Sequence, residues 1–207
     1  MTLPRLLRVA FLAACVAPVP MVAGQTTVGL HGGLTRATFS DLDAPIEQDA
    51  RSGILLGMSA TVPVSGSLGL RFAGSHVQAG GGFALPDFAE FGLDLDYFRL
   101  AALAKASLPM ESSNVAVYLL AGPFAGFRTA CSVSASEQGV SISADCDEAD
   151  VDLSTTDFGL TGGAGVEVGV SEDMGVAIEA LYDLGLKDLD DAKNRVFSLV
   201  AGLVFSL

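Results

Sequence analysis

Six charged residues lie in alternating, otherwise apolar segments, each in the register opposite to a hydrophobic face. They are Arg71, Arg99, Lys105, Glu167, Glu179 and Asp183. If the segments are β-strands of a small closed barrel, this register points into a lumen that side chains fill. Unpaired charges would be costly there, so we predict a lumen charge network of opposite-charge pairs between neighbouring strands. Such a network either plugs the lumen or lines a narrow polar conduit.

Two cysteines lie close together in one polar segment. Cys131 and Cys146 are the cysteines that follow the N-terminal region, and their spacing fits a disulfide formed in an oxidising compartment. Closing a loop of this length stabilises the folded chain by roughly 3 kcal/mol in the chain-entropy description. We therefore predict a disulfide that ties off an external loop.

The same segment is rich in acids and contains no Lys or Arg between Thr129 and Thr156. Its acidic residues are Glu137, Asp145, Asp147, Glu148, Asp150 and Asp152. Such oxygen-rich clusters can hold calcium, but the spacing of an EF-hand and the glycine-rich calcium repeat are both missing. We predict a solvated acidic external loop with no metal or cofactor, which favours cationic solutes or cationic surface partners.

The two histidines, His31 and His76, are the candidates for catalysis. A histidine with a serine and an acid is the set used by lipid-modifying hydrolases and acyltransferases, and Ser75 directly precedes His76. A nucleophile must lie within hydrogen-bond reach of its base, whereas adjacent residues of a strand point to opposite faces. We therefore expect no catalysis, and a lipid-modifying enzyme stays an alternative.

The N-terminal residues resemble a targeting segment. Arg5 and Arg8 precede an apolar stretch over residues 9–22, and small residues precede Gln25. This arrangement predicts a signal peptide over residues 1–24 and a single mature domain over residues 25–207. An alternative stays open, because the residues before Cys15 resemble a lipoprotein cleavage box that would put a lipid on that cysteine.

Eight segments that could position these residues alternate between apolar and other residues with a period of two, which predicts β-strands. They span residues 27–39, 53–62, 68–77, 94–108, 115–128, 157–170, 176–186 and 197–207. The fifth is apolar on both faces, so its register cannot be fixed from the pattern. The last strand is eleven residues long and closes the chain, a length that crosses a bilayer at a tilt.

The connections between these strands alternate in length. Short turns rich in Pro, Gly and Ser occupy residues 63–67, 109–114 and 171–175. Longer loops are predicted over residues 40–52, 79–93, 129–156 and 187–194, and the second of them opens with three glycines, Gly80 to Gly82. Short turns at one end and long loops at the other are typical of bacterial membrane barrels, with both termini on the periplasmic side.

Composition agrees with membrane strands. Half of the residues are hydrophobic, yet beyond the leader no uncharged apolar run approaches the roughly 18 residues of a membrane helix. A soluble β-sandwich or lipocalin-like barrel with inward apolar faces is the alternative explanation. The formal net charge is −13 at pH 7, and removal of Arg5 and Arg8 with the leader makes it −15. Nucleic acid and anionic membrane surfaces are poor partners for such a chain.

Three parts of the sequence resemble the outer membrane protein β-barrel domain family, the PorT-like small outer-membrane barrels. The fourth strand, L-D-Y-F-R-L-A-A-L-A-K-A-S-L-P, is similar to that family's Y-x-E-I-P-x-L-x-K strand, and Y-L-L-A-G-P-F-A-G-F is similar to its Y-x-x-A-G-P strand. The last two strands, A-L-Y-D-L-G-L and N-R-V-F-S-L-V-A-G-L-V-F, resemble its R-Y-x-x-G-L and N-R-x-F-x-L-x-x-G ends. The resemblance extends over residues 25–207.

Three positions depart from the family pattern. Arg99 stands where the pattern has an acid, Ala101 where it has proline and Leu181 where it has arginine. The charge pairing inside the barrel is therefore expected to differ from the family's. The resemblance implies an architecture and a location, but no shared catalytic residue.

Taken together, the sequence predicts an all-β, eight-stranded antiparallel transmembrane β-barrel with up-and-down connections, located in the outer membrane as a monomer surrounded by lipid. The predicted role is structural or one of surface interaction through acidic external loops. A narrow pore or carrier for small cationic solutes is the second hypothesis, a lipid-modifying enzyme the third and a soluble periplasmic ligand-binding barrel the fourth.

Overall fold

The structure is a computed structural model, and it describes residues 25–40, 47–85, 89–108, 114–137, 140–149, 154–187 and 193–207. The predicted signal peptide and Cys15 lie outside these residues. The strands are β1 (Thr27–Ser40), β2 (Glu47–Ser65), β3 (Leu68–Leu85), β4 (Ala89–Leu108), β5 (Val115–Glu137), β6 (Val140–Asp145), β7 (Thr156–Gly169), β8 (Met174–Gly185) and β9 (Lys193–Ser206). Within the described ranges we find no helix with the length and hydropathy of a membrane span.

Eight of these strands form one closed ring. Consecutive strands pair antiparallel from β1 to β5, β5 continues to β7, and the ring runs on through β8 and β9. β1 and β9 then close it over the full length of both strands, from Thr27 opposite Ser206 to Ser40 opposite Lys193. β6 stands outside the ring and pairs with the last residues of β5. The predicted all-β, closed eight-stranded antiparallel barrel is confirmed.

The barrel has its apolar side chains outside and its polar side chains inside. In β8, Ala177, Glu179, Leu181 and Asp183 are buried and point inward, whereas Ile178 and Tyr182 between them are exposed on the outside. Similar alternation exposes leucines and phenylalanines all round the outer surface. This orientation is opposite to the one that a soluble ligand-binding barrel requires.

The strands are unequal in height. β2 to β5 have 18 to 23 residues, whereas β1, β7, β8 and β9 have 12 to 14. We call β2 to β5, with β6 beside them, the tall wall. The barrel end from which it rises is the loop end, and the opposite end, with the β2–β3 and β7–β8 turns, is the turn end. At least four extra residues add roughly 13 Å of strand to the tall wall.

The tall wall corrects the predicted loops. Residues 79–93 are mostly strand, because β3 runs to Leu85 and β4 begins at Ala89. β2 likewise begins at Glu47, β5 runs to Glu137, and β6 lies inside the predicted third loop. A strand that stands clear of the apolar belt keeps its backbone hydrogen bonds but needs no lipid-facing apolar side, so its sequence need not alternate.

Glycine permits a bend in the tall wall. Gly80 has φ of 125° and faces Asp94 across the β3–β4 pair, where an added Cβ would lie 2.0 Å from the Leu93 carbonyl oxygen. The β2–β3 register shifts beside it, between Ala50 and Leu55. The glycines predicted to open a flexible loop are therefore strand residues, and Gly80 supplies a conformation that other residues rarely adopt.

Candidate functional site: the lumen and the loop end

The centre of the lumen holds a buried carboxylate with two donors. Arg71 Nη1 and Tyr118 Oη each donate a hydrogen bond of 2.5 Å to Glu179 Oε1. The Arg71 guanidinium also lies 5.4 Å from the centre of the Tyr118 ring. All three residues are at least nine-tenths buried. The charge of Glu179 is thereby compensated by Arg71, and its carboxylate oxygen accepts hydrogen bonds from protein donors in place of water. A buried charge is stable under these conditions.

A second pair lies nearer the turn end. Lys105 Nζ is 3.0 Å from Glu167 Oε2 and 4.1 Å from the centre of the Tyr118 ring. Its side chains are 12% and 23% exposed, more than those of the central pair. Tyr118 therefore packs between two cations, Arg71 and Lys105, and its ring makes a favourable cation–π contact with each.

A third pair lies nearer the loop end. Arg99 Nη1 donates to Asp183 Oδ2, and Thr161 Oγ1 donates to Asp183 Oδ1 at 2.6 Å. Arg99, Thr161 and Asp183 are all buried. The carboxylate is therefore held by one charged and one neutral donor, at a level distinct from that of Glu179.

The six charged residues singled out from the sequence thus come together as three opposite-charge pairs inside the barrel. The sequence analysis predicts that the partners lie on neighbouring strands, but the pairs instead cross the lumen. Arg71 on β3 and Arg99 on β4 both reach β8, and Lys105 on β4 reaches β7. That part of the prediction is wrong. An eight-stranded barrel is narrow enough for Arg and Lys side chains to span its lumen.

Tyr118 is the residue that sequence reasoning missed. It is completely buried at the centre of the network, but it belongs to β5, whose two faces are both apolar in sequence. Gly165 on β7 lies opposite Tyr118, and an added Cβ there would be 2.6 Å from Tyr118 Cζ. The inward glycine opposite an aromatic residue is the one sequence signal that could have fixed the register of β5.

Apolar side chains fill the lumen between and above the ion pairs. One cluster surrounds Tyr118 and includes Leu55, Leu103, Leu120, Phe124 and Leu181. A second cluster, nearer the loop end, includes Ala37, Ala79, Leu95, Tyr97 and Val196, with Leu93 and Cys131 packed against it. The lumen charge network is therefore embedded in a packed core.

Two small cavities lie along the lumen, each of about 20 Å³. The one nearer the loop end is lined by Tyr97, Arg99, Asp157 and Asn194. A volume of this size holds about one water molecule, and the polar lining suits it. Neither of these two cavities is wide enough for a hydrated ion.

The predicted disulfide is present at the loop end. Cys131 and Cys146 are joined with their Cα atoms 5.5 Å apart, and Cys146 is 2% exposed. The bridge lies at the base of the β5–β6 hairpin, in which Ser132 pairs with Asp145 and Glu137 with Val140. It therefore anchors the hairpin to the second apolar cluster of the lumen through Cys131.

Replacing both cysteines with serine is expected to loosen this hairpin and leave the barrel folded. β6 has six residues and, within the described part of the chain, pairs with β5 alone, and a hairpin with no further support is marginally stable. Limited proteolysis should cleave the variant between residues 131 and 146 at least tenfold faster, with unboiled gel mobility unchanged. Wild-type protein treated with a reductant is the matched control. Thiol labelling of unreduced wild-type cells would contradict the bridge.

The acidic residues are spread over the tall wall and its hairpin. Asp145, Asp147 and Glu148 are exposed, and Glu137 ends β5, while Asp150 and Asp152 lie outside the described residues. Further acids were not singled out from the sequence: Asp94 is ion-paired with Arg51, and Asp96 Oδ2 lies 3.6 Å from His76 Nε2. Asp94, Asp96 and Asp145 line one polar groove of about 350 Å³. In the described ranges, no three acidic, His or Cys side chains gather as ligands for a metal ion.

The two histidines lie on opposite faces of the barrel wall. His31 lines the small inner cavity near Arg71 and Glu179. His76 is on the outside, with 43% of its side chain exposed, and the adjacent Ser75 is buried inside at 2%. Ser75 and His76 therefore cannot act as nucleophile and base.

The sequence was compared with known proteins. Residues 8–205 match the outer membrane protein beta-barrel domain. The chain belongs to this family. The family resemblance drawn from the strand motifs is thereby confirmed, and the outward apolar faces of this outer membrane barrel are its lipid-facing surface. No curated protein sequence matches the chain significantly.

Several solved structures are similar to this chain at low sequence identity. The outer membrane protein OprG from Pseudomonas aeruginosa is 12% identical, with a TM-score of 0.56 over 89% of this chain and 96% of its own. Neisserial surface protein A is 17% identical, with a TM-score of 0.49 over 87% and 97%. The attachment invasion locus protein Ail of Yersinia pestis is 18% identical, with a TM-score of 0.45 over 88% and 100%. The likeness to OprG supports the fold alone.

Proposed function

We propose that this outer membrane barrel is a monomeric, non-conducting surface protein that contacts cationic molecules through its acidic tall wall. In this proposal the loop end faces the cell exterior, and the turn end, with both termini, faces the periplasm. The protein catalyses no reaction. The observation that carries the proposal is the combination of a packed lumen with a charged sheet that stands above the lipid.

The packed lumen supports the absence of conduction. An ion crossing the barrel would meet the Lys105–Glu167, Arg71–Glu179 and Arg99–Asp183 pairs in succession, and the last two are almost fully buried. Apolar side chains fill the space around them, and the cavities are the size of one water molecule. A carrier for small cations would have to break at least two buried ion pairs, each of which strongly resists the loss of one partner.

The tall wall supports the surface role. Asp145 ends β6 in an exposed position, Asp147 and Glu148 are exposed in the turn that follows it, and the neighbouring groove adds Asp94 and Asp96. Against these five acids, the groove contributes Arg51 as its cation. A negative surface of this kind attracts positively charged molecules and raises their rate of encounter. The separation of Ser75 from His76 by the barrel wall supports the absence of an enzyme built on this pair.

Binding of a polycation tests the proposal. The barrel is inserted into nanodiscs of phosphatidylcholine, which carry no net charge, and a fluorescent decalysine peptide is titrated. Removing two exposed charges with the double variant Asp147→Asn, Glu148→Gln should weaken peptide binding roughly two- to tenfold. Added salt should also weaken peptide binding by the wild type. The matched control is Glu172→Gln with Asp173→Asn, which removes two exposed acids from the turn end.

Two results would contradict the proposal. Equal weakening by the control variant would mean that net charge, and not the tall wall, attracts the peptide. Sustained single-channel conductance of the wild-type barrel in planar bilayers would favour the pore for cationic solutes.

A further inference from the structure

The outer face of the β1–β9 pair carries a group of basic residues. Arg36 on β1 and Lys193 and Arg195 on β9 all point outward, because Thr35, Ala37, Asn194 and Val196 between and beside them are buried in the lumen. We call these three residues the basic patch. They are three of the nine Lys and Arg residues that remain after the leader, in a chain whose acids outnumber its bases by more than two to one.

Strand register brings the patch together. Arg36 lies opposite Phe197, and Thr38 opposite Arg195, so Arg36 and Arg195 are diagonal neighbours on one face. Side chains in this relation are roughly 7–8 Å apart at their backbones, within reach of long side chains.

The patch lies where the apolar belt ends. Counting from the turn end, the outward residues of β9 are Phe205, Leu203, Ala201, Leu199 and Phe197, and the next outward residue is Arg195. This apolar run of nine residues is roughly 30 Å of strand, which a tilt of about 40° reduces to roughly 23 Å of height. That is close to the belt of about 25 Å of a membrane barrel. The basic patch therefore starts at headgroup depth.

Aromatic residues mark the same level. Phe197 lies opposite Tyr182 on β8, and both are more than 40% exposed on the lipid-facing surface. Aromatic side chains at the edge of the apolar belt form the girdle at the membrane–water interface. Arg36 is in the same row as this aromatic pair, with its long side chain able to reach toward the polar side.

We propose that the basic patch binds the phosphate groups of anionic lipid in the leaflet at the loop end. A guanidinium presents paired N–H donors that match phosphate oxygens, and two of the three residues are arginines. The short strands β1 and β9 keep the patch at headgroup level, whereas the acids of the tall wall stand higher and on the opposite side of the barrel. The basic patch and the exposed acids of the tall wall therefore lie at different heights and on different strands of the barrel. This inference does not depend on the tall wall having a partner.

Lipid binding to the purified, folded barrel tests the inference. The protein in nonionic detergent is titrated with phosphatidylglycerol or with phosphatidylcholine of the same acyl chains, and bound lipids are counted by native mass spectrometry. Each cation near an anionic lipid surface contributes roughly a fivefold change in affinity. The double variant Arg36→Gln, Arg195→Gln should therefore bind phosphatidylglycerol about 25-fold more weakly, with its binding of phosphatidylcholine unchanged.

Two further variants separate charge from structure. Arg36→Lys with Arg195→Lys keeps both charges and should retain most of the binding. Arg51→Gln removes a cation from the tall wall and should leave phosphatidylglycerol binding unchanged. Faster migration of unboiled than of boiled protein on a gel reports that each variant is folded. For the wild type alone, 0.5 M salt should weaken phosphatidylglycerol binding severalfold, which needs no variant.

Three results would overturn the inference. The first is equal affinity of the wild type for the two lipids, and the second is a loss of phosphatidylglycerol binding in Arg51→Gln as large as in the double variant. The third is displacement of bound phosphatidylglycerol by millimolar inorganic phosphate. The last would mean a site for a free anion. None of these results bears on decalysine binding by the tall wall.

Discussion

Replacing Glu179 with glutamine is expected to lower the free energy of unfolding by about 3–5 kcal/mol. The substitution keeps the size of the side chain but removes the charge that compensates Arg71, which is 6% exposed. It also weakens the acceptor of the Tyr118 hydrogen bond. Since the chain has no tryptophan, unfolding in urea is best followed by circular dichroism and by gel mobility of unboiled samples.

Glu167→Gln is the matched control for this prediction. It removes the same charge from the same barrel, but the Lys105–Glu167 pair is more exposed. Water can therefore solvate the charge that is left on Lys105. The control should cost less than half as much stability as Glu179→Gln. Removing both charges of the central pair, with Arg71→Met and Glu179→Leu, should recover most of the loss. Equal effects of Glu179→Gln and Glu167→Gln would mean that burial does not decide the strength of these pairs.

Replacing Tyr118 with alanine is expected to destabilise the barrel by about 3–5 kcal/mol and to open a path through it. Tyr118 is completely buried, and its ring separates Arg71 at 5.4 Å from Lys105 at 4.1 Å. Without the ring, the space between two ion-pair levels becomes a polar cavity that water can enter. We therefore expect channel openings of Tyr118→Ala in planar bilayers at voltages where the wild type has none.

Tyr118→Phe separates the ring from its hydroxyl. This variant keeps the volume and loses the hydrogen bond to Glu179, a loss of roughly 1.5–3 kcal/mol for a bond to a charged group. It should not conduct. Conduction by Tyr118→Phe equal to that of Tyr118→Ala would show that the hydroxyl, and not the bulk of the ring, closes the lumen.

Much of the architecture could be predicted from the sequence. The eight ring strands, their order and the short β2–β3 and β7–β8 turns follow from the sequence pattern, since lipid on one side and a filled lumen on the other impose opposite preferences on alternate residues. The same alternation put Arg71, Glu179 and Asp183 in the inward register. The Cys131–Cys146 disulfide followed from the count and spacing of the cysteines.

The height of the strands could not be predicted in this way. Residues 79–85 lie above the apolar belt, where neither face of the strand contacts lipid, so backbone pairing continues there without an apolar pattern. β6 was missed although Val140, Ile142 and Ala144 alternate with serines, because it is a run of only six residues inside a polar, acidic segment. It is held by pairing with β5 and by the disulfide.

Alternation in the sequence specifies whether a strand residue faces lipid or lumen. Which lumen residues contact each other depends on the fold. Arg71 and Glu179 are 108 positions apart, and alternation says that both face inward but not that they face each other. Their meeting depends on the stagger between strands, which closure of the ring by β1 and β9 fixes for all strands at once. Closure likewise brings Arg36 and Arg195, from opposite ends of the chain, onto one face of an otherwise acidic protein.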